Sequence, residues 1–339
     1  MDGYEFSSGQ LEARKAYSQL GMVYAVFSLV ATGAQFAAIW ILSLIDQVRS
    51  GTMEAQVFCS SFTLYAAGIL ILTSGFKQTT LLRSIPKKHK MSFKSFLKAA
   101  CMCYSLLIIS NLLGTVITGI IGAIKGTPIV NPVEELVLNM DLPFLFLVTV
   151  ILAPIFEELF FRKYIIDRLV VYGEFVAIVV SGLMFGLFHG NLSQFPYAFT
   201  IGAFFGFIYV RTGRLIYPVL LHAFINFMGS IVSVVLLNYV DLDMYMNALG
   251  SSDIEKLLQT LTWEGLTGFV VLMVYEVLIL VIVIIGIILW ILESKKFFTK
   301  IQDKELPVSR RFEVAICNPG ILFYTGIWII MIIIATIRG

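Results

Sequence analysis

Residues 266–292 read LTGFVVLMVYEVLILVIVIIGIILWIL, an apolar run interrupted by a single acidic residue, Glu276. About 20 apolar residues suffice to cross the core of a bilayer, so this run is long enough to span a membrane. Over the 339 residues, 58% are hydrophobic and 14% are charged. A soluble domain of this size cannot bury that much apolar surface. The sequence therefore predicts a membrane protein.

Several apolar runs of similar length precede and follow this one, and no soluble domain separates them. We predict an all-α, polytopic transmembrane bundle of about nine spans. We divide it into an N-terminal region of three spans (1–141), a core of four spans (142–237) and a C-terminal region of an acidic outer loop and two spans (238–339). The predicted spans are 20–45, 57–75, 98–124, 142–168, 173–191, 195–211, 214–237, 266–292 and 320–337.

The placement of lysine and arginine predicts the orientation of the chain. Cytoplasmic loops of membrane proteins carry an excess of these residues. All but four of the 24 fall on the side that holds the N-terminus. We therefore expect a cytoplasmic N-terminus and an outside C-terminus, in a protein of a bacterial cell membrane. The four on the other side are Arg49, Lys125, Lys256 and Arg338.

Polar side chains concentrate in spans 4, 5 and 7 of this scheme. An ionisable group in a spanning helix costs about 2.5–3.5 kcal/mol on insertion scales, so each needs a reason to be there. Three pairs share the i,i+4 spacing that puts both side chains on one helix face. They are Glu158 and Arg162, Phe185 and His189, and His222 and Asn226. Glu157 lies directly before the first pair.

The depth of these residues constrains the length of span 4. At 1.5 Å per residue, Glu157 and His189 meet only if helix 4 continues to about Leu169. Arg162 and Lys163 would then face an aqueous cavity or reach toward the membrane surface. We therefore predict a long helix 4 beside a water-filled pocket that opens to the cytoplasm.

Such a cluster can hydrolyse a peptide bond, which requires an activated water, a stabilised oxyanion and a proton for the leaving amine. Glu157 can act as general base, and Arg162 can hold Glu158 ionised. His189 can orient the water or move its proton. His222 and Asn226, on one face, are donors suited to an oxyanion.

Other interpretations of the same residues stay open. A Glu-Arg pair or an intramembrane histidine by itself is more often structural. Glu157, His189 and His222 could also bind zinc as a His₂Glu site, although the chain lacks HExxH. A transporter would show broken helices in two repeats, which we do not find. We expect no cofactor, with zinc as the alternative, and no nucleic-acid partner, because the net charge is only +2.

The order of the three motifs resembles the CPBP family, which comprises CAAX proteases and bacteriocin-processing enzymes and is also called the Abi family. The resemblance covers about 142–230. The matching motifs are EExxxR (Glu157, Glu158, Arg162), FxxxH (Phe185, His189) and HxxxN (His222, Asn226).

The resemblance implies an intramembrane endopeptidase with a conical, cytoplasm-facing cavity and a peptide or protein substrate at the bilayer. It implies that Glu157 and His189 activate water, that His222 and Asn226 form the oxyanion hole, and that Glu158, Arg162 and Phe185 support them. Bacterial members are linked to peptide maturation or bacteriocin self-immunity. A non-catalytic scaffold or immunity protein of the same fold is the alternative.

Two further features have structural consequences. Gly182 and Gly186, like Gly202 and Gly206, have the GxxxG spacing that lets membrane helices approach closely, so spans 5 and 6 are expected to pack tightly. Glu276 in span 8 could line the cavity, pair with a group such as Asn111 or face an oligomer contact.

Overall fold

The structure, a computed structural model, describes residues 6–79, 81, 88–239, 263–293 and 305–338. All regular structure in these ranges is helical. Nearly all of the acidic outer loop lies outside the described residues.

Each of the nine predicted spans coincides with a helix, here numbered α1 to α9. Seven of these helices are long and apolar enough to cross a membrane by themselves, and α5 and α6 are not among them. The prediction of an all-α polytopic bundle is therefore confirmed, and the chain is an integral membrane protein. The helices are α1 Ser8–Ile45, α2 Met53–Lys77, α3 Phe93–Lys125, α4 Leu142–Tyr172, α5 Glu174–Phe188, α6 Phe195–Thr212, α7 Ile216–Asn238, α8 Trp263–Glu293 and α9 Pro319–Arg338.

Helix α1 extends well beyond its apolar span at the N-terminal end. It begins at Ser8 because Ser7 and Gln10 form a capping box. The Ser7 hydroxyl accepts a hydrogen bond from the Gln10 amide at 3.3 Å, and the Gln10 side chain accepts one from the Ser7 amide at 3.1 Å. The box satisfies donors at the helix end within a polar segment, so the helix begins before the apolar run does.

The α5–α6 pair is as close as its glycines predict. A Cβ on Gly182 would lie 2.8 Å from the Ala203 amide nitrogen and 2.9 Å from the Phe199 carbonyl oxygen. A Cβ on Gly186 would lie 3.0 Å from Phe199. Only glycine permits this approach, so the predicted tight packing of these helices is confirmed.

The terminal helices pack against one another, although they lie at opposite ends of the sequence. Helix α9 lies along α1, and the Gly320 amide donates to the Ser18 hydroxyl at 3.1 Å. A Cβ on Gly320 would overlap the Ser18 carbonyl, and one on Gly21 would overlap the Gly320 backbone. Elsewhere α3 packs between α6 and α8.

Helices α4 and α7 depart from regular α geometry beside the polar residues. In α4, the stretches Phe146–Leu152 and Glu158–Tyr164 are π-helical, and in α7 the stretch Phe227–Val232 is. Such wide turns occur frequently at functional sites. Despite them, α4 runs on to Tyr172, so the predicted continuation of this helix past Leu169 is confirmed.

Glu276 is exposed on α8 and forms no hydrogen bond or ion pair with any described residue. The suggested pairing with Asn111 is therefore absent from the described part of the chain. Nothing in the described structure explains this carboxylate.

We expect Gly320→Ala to destabilise the protein, because the added methyl group would separate α9 from α1. Overpacking of this kind costs about 1–3 kcal/mol. Gly326→Ala on the same helix is the matched control, since no atom lies within 4 Å of its would-be Cβ. Thermal unfolding in detergent would show a lower Tm for the first variant only. Equal Tm values would contradict the close α1–α9 contact.

Candidate active site

A fully buried ion pair lies at the centre of the polar cluster. Glu158 and Arg162 have no exposed side-chain surface. The Arg162 Nε lies 2.9 Å from Glu158 Oε2, and its second terminal nitrogen donates to Oε1 at 3.1 Å. The guanidinium also lies 4.3 Å from the centroid of the Phe185 ring. The predicted i,i+4 pairing is confirmed. The prediction that Arg162 faces an aqueous cavity or the membrane surface is wrong, because the Glu158 carboxylate and the Phe185 ring enclose its charge.

Lys163 behaves differently from its neighbour. Its side chain is 32% exposed, and its Nζ lies 3.5 Å from the carboxylate of buried Asp167. Asp167 also accepts a hydrogen bond from the Tyr209 hydroxyl at 2.8 Å. Helix α4 therefore carries two successive ion pairs, of which only the Glu158 pair belongs to the polar cluster.

His222 joins the two adjacent glutamates. Its Nδ1 lies 3.0 Å from Glu158 Oε1, and its Nε2 lies 3.8 Å from Glu157 Oε2. An ionised carboxylate only accepts hydrogen bonds, so Nδ1 carries the proton when Glu158 is charged. The imidazole stacks on Phe205 at 5.4 Å and meets the edge of Phe185 at 5.8 Å. These contacts leave Nε2 as the free nitrogen, directed toward Glu157.

The position of His189 follows from the end of helix α5. Its backbone amide bonds to Gly186, so the carbonyl of Phe185 is left for the side chain. The His189 Nδ1 lies 2.9 Å from that oxygen. A carbonyl cannot donate, so Nδ1 is the protonated nitrogen and Nε2 is left free. The FxxxH spacing thus fixes both the place and the tautomer of the imidazole.

One aromatic ring connects the two histidines. The Phe185 ring meets the His189 imidazole edge-to-face at 4.8 Å and also contacts His222. Phe185 belongs to a large apolar cluster built mainly from α1, α2, α4, α5 and α9, whereas Phe205 belongs to a smaller one built from α3, α6 and α7. The polar cluster therefore lies where these two apolar clusters meet.

The loop after His189 contains two residues that the motifs did not single out as functional. Asn191 donates to the His189 carbonyl at 3.1 Å and to the Gln194 side chain at 2.8 Å, and its Oδ1 accepts from the Gln194 amide at 2.9 Å. These bonds hold the turn in which Gly190 has a positive φ of 66°. The Asn-x-x-Gln spacing was the available signal, because asparagine side chains commonly bond to backbone two or three residues on.

Asn226 lies one turn beyond His222 on α7. Its side-chain amide donates to the Thr149 carbonyl, in the first π-helical stretch of α4, at 2.7 Å. The backbone carbonyl of Asn226 accepts a hydrogen bond from the Ser230 hydroxyl at 2.6 Å. The structure thus joins Asn226 to α4 through the backbone, whereas His222 joins α4 through the glutamates.

Accessibility separates the two glutamates. The Glu157 side chain is 17% exposed, whereas the Glu158 side chain has no exposed surface. His189 is partly exposed, and His222 is buried. Glu157 and His189 can therefore meet a water molecule, while Glu158 is enclosed by Arg162 and His222.

A metal site is not formed by the residues that the structure describes. No group of three His, Cys, Asp or Glu side chains among them has an arrangement that could hold a metal ion. In the zinc alternative, His222 would have to bind through Nε2, because Nδ1 is bonded to Glu158.

The segment that carries these side chains matches a known family. Residues 139–228 match the model described as "Type II CAAX prenyl endopeptidase Rce1-like". All seven candidate site residues fall inside the matched segment, which is similar to a family of membrane peptidases.

Three curated proteins show the same relationship. Membrane-embedded CAAX protease MroQ of Staphylococcus aureus is 29% identical over 188 residues, which are 52% of this chain and 72% of MroQ. Human CAAX prenyl protease 2 is 35% identical over 100 residues, 23% of this chain and 30% of that protein. Putative membrane peptidase YdiL of Bacillus subtilis is 34% identical over 85 residues, 25% of this chain and 35% of its own length. No solved structure gives a significant match.

We expect Arg162→Met to destabilise the protein strongly. Removing one partner of a buried pair costs about 3–5 kcal/mol, because the remaining charge is left uncompensated. The double variant Glu158→Gln/Arg162→Met should recover part of that loss. The free energy of unfolding of the wild type and of both variants is measured by denaturation in mixed micelles.

The partly exposed pair of Lys98 and Glu293, 2.8 Å apart, supplies the control. Lys98→Met should cost no more than about 1 kcal/mol, because ion pairs that water can reach usually contribute little. A loss for Arg162→Met as small as that for Lys98→Met would contradict the buried pairing.

Proposed function

We propose that this protein is an intramembrane endopeptidase that hydrolyses peptide bonds with a water activated by Glu157. One observation carries the assignment of the base. Of two adjacent carboxylates, Glu158 is held by Arg162 and His222 without exposed surface, whereas the Glu157 side chain stays partly exposed beside the His222 imidazole. A general base must reach both water and substrate, and only Glu157 meets that requirement.

In the proposed reaction, Glu157 takes a proton from water as the oxygen attacks the peptide carbonyl carbon. His189, through its free Nε2, orients that water. The tetrahedral oxyanion then collapses and the C–N bond breaks. The proton held by Glu157 passes to the leaving nitrogen, so that an amine and a carboxylic acid are released and Glu157 is ionised again.

Stabilisation of the oxyanion falls to His222 and Asn226 in this proposal. His222 already bonds to Glu158 through Nδ1, so it donates through Nε2 only as the imidazolium, whose charge the glutamates balance. The second side-chain N–H of Asn226 points away from its bond to Thr149 and is the other donor. Each such donor is typically worth about 2.7–4 kcal/mol of transition-state stabilisation.

The proposed substrate is a peptide or protein segment at the bilayer, and the proposed location is a bacterial cell membrane with the N-terminus in the cytoplasm. The similarity to proteins named CAAX protease and CAAX prenyl protease supports a cleavage site near a C-terminus. Peptide maturation and bacteriocin self-immunity are the roles in which such an activity is expected. The probes are therefore one fluorogenic CAAX peptide prepared with and without a prenyl group.

We expect Glu157→Gln to lower kcat by at least about 10²–10⁴-fold, because the amide cannot accept the proton of water. The variant should keep the wild-type Tm, since its side chain is isosteric. His189→Ala should show a comparable loss. Cleavage of either probe in proteoliposomes, followed by mass spectrometry, measures turnover and the cleavage site.

Glu276→Gln is the matched control, because it removes an exposed carboxylate of another membrane helix that forms no hydrogen bond or ion pair with a described residue. Its turnover should equal that of the wild type. Full activity of both Glu157→Gln and His189→Ala would refute the proposed base and water-orienting residue. A phenotype that survives these substitutions without any cleavage would support a scaffold.

Removal of metal should leave the activity unchanged, because the proposed chemistry uses side chains alone. Turnover is measured after incubation with 1,10-phenanthroline and with the non-chelating 1,7-isomer as control. Metal content of the purified protein is measured in parallel. Inhibition by the chelating isomer alone, with one zinc per chain, would establish the zinc alternative in place of this mechanism.

A further inference from the structure

The π-helical stretch Glu158–Tyr164 sets the direction of the two glutamates relative to the core. A π turn holds an extra residue, which rotates the helix before it by about 100° relative to the helix after it. Glu157 lies directly before the stretch, and buried Ile165 lies directly after it. If this stretch relaxed to a regular α-helix, either Glu157 or the buried side chains that follow would have to turn away from their present positions.

Two side chains from other helices bond to the backbone of this stretch. The Tyr24 hydroxyl, on α1, donates to the carbonyl of Phe160. The Ser181 hydroxyl, on α5, donates to the carbonyl of Phe161 at 2.8 Å. Wide turns present carbonyls to donors outside the helix, and a buried carbonyl without a partner is costly. Adjacent carbonyls of the π stretch are therefore bonded from two sides.

Tyr24 is fixed in place by its surroundings. It has no exposed surface. Its ring lies 5.8 Å from that of Phe161 and 6.2 Å from that of Tyr324 on α9. The Tyr324 hydroxyl in turn donates to the Met184 carbonyl of α5 at 2.7 Å. The packed aromatic rings therefore hold the Tyr24 hydroxyl in place against α4.

We infer that Tyr24 is a positioning residue for hydrolysis, and that its hydroxyl holds the π turn that directs Glu157 toward His222. Ser181 supports the same turn from the opposite side. The inference rests on the proposed function of Glu157. In this proposal the residues that position the active site include one from α1, a helix outside the matched segment 139–228.

The test uses conservative variants that remove one hydroxyl and keep the ring. We expect Tyr24→Phe to lower kcat about tenfold while KM stays within twofold, because substrate binding does not depend on the direction of the carboxylate. Ser181→Ala should also lower kcat, and the double variant should lower kcat more than either single variant does. Turnover is measured with the fluorogenic CAAX peptides in proteoliposomes, far below the Tm of every variant.

Tyr17→Phe is the matched control on the same helix. Tyr17 is equally buried, and its hydroxyl has no hydrogen-bond partner among the described residues. Its kcat and KM should equal those of the wild type. Because Tyr17 lies away from the π stretch, this variant reports any general effect of removing a buried phenolic oxygen from α1.

The outcomes separate the two hypotheses. If Glu157→Gln retains full activity, the proposed base is wrong. If Glu157→Gln is inactive while Tyr24→Phe and Tyr17→Phe share wild-type kcat, the positioning inference alone is overturned. A lower Tm for Tyr24→Phe with unchanged kcat would also overturn it, because the hydroxyl would then contribute to stability only. A lower kcat for Tyr24→Phe and not for Tyr17→Phe supports it.

Discussion

The enclosure of one glutamate charge within a bundle of membrane helices organises the rest of this protein. Taking two charges out of water is costly, so a buried ion pair depends on close geometry and further hydrogen bonds. Two nitrogens of Arg162 approach Glu158, and the His222 Nδ1 lies 3.0 Å from Glu158 Oε1. This triad fixes α4 against α7. It also positions the neighbouring Glu157, which keeps the exposed surface that chemistry requires.

The small residues of the core provide the space for this triad. A Cβ on Gly202 would lie 2.7 Å from the Phe185 ring and 3.4 Å from an Arg162 terminal nitrogen. Helix α6 can therefore pass close enough for Phe205 to stack on His222. The glycines that bring α5 and α6 together thus serve the site as well as the packing, because a larger residue at Gly202 would displace the ring and the guanidinium together.

The sequence predicted the site well where local spacing determines it. The i,i+4 spacing of Glu158 and Arg162 correctly predicted an ion pair, and the depth of Glu157 along its span correctly predicted that α4 continues to about Leu169. The expected exposure of Arg162 was wrong. The side chains that cover this region, Phe185 and His222, come from other helices, and the spacing of residues within α4 does not reveal them. The bond from His222 to Glu158 was not predicted either, because it joins residues 64 positions apart.

The amino-acid sequence by itself determined the membrane class, the helical spans, their predicted orientation and the residues that carry polar chemistry. These follow from apolar run length, the placement of charges and i,i+4 spacing, all of which are local properties. Only the tertiary structure decided which glutamate is enclosed and which is accessible, and which hydroxyls bond to the π stretch of α4. These depend on contacts between distant helices, such as that of Tyr24 with Phe160, and no local pattern encodes them.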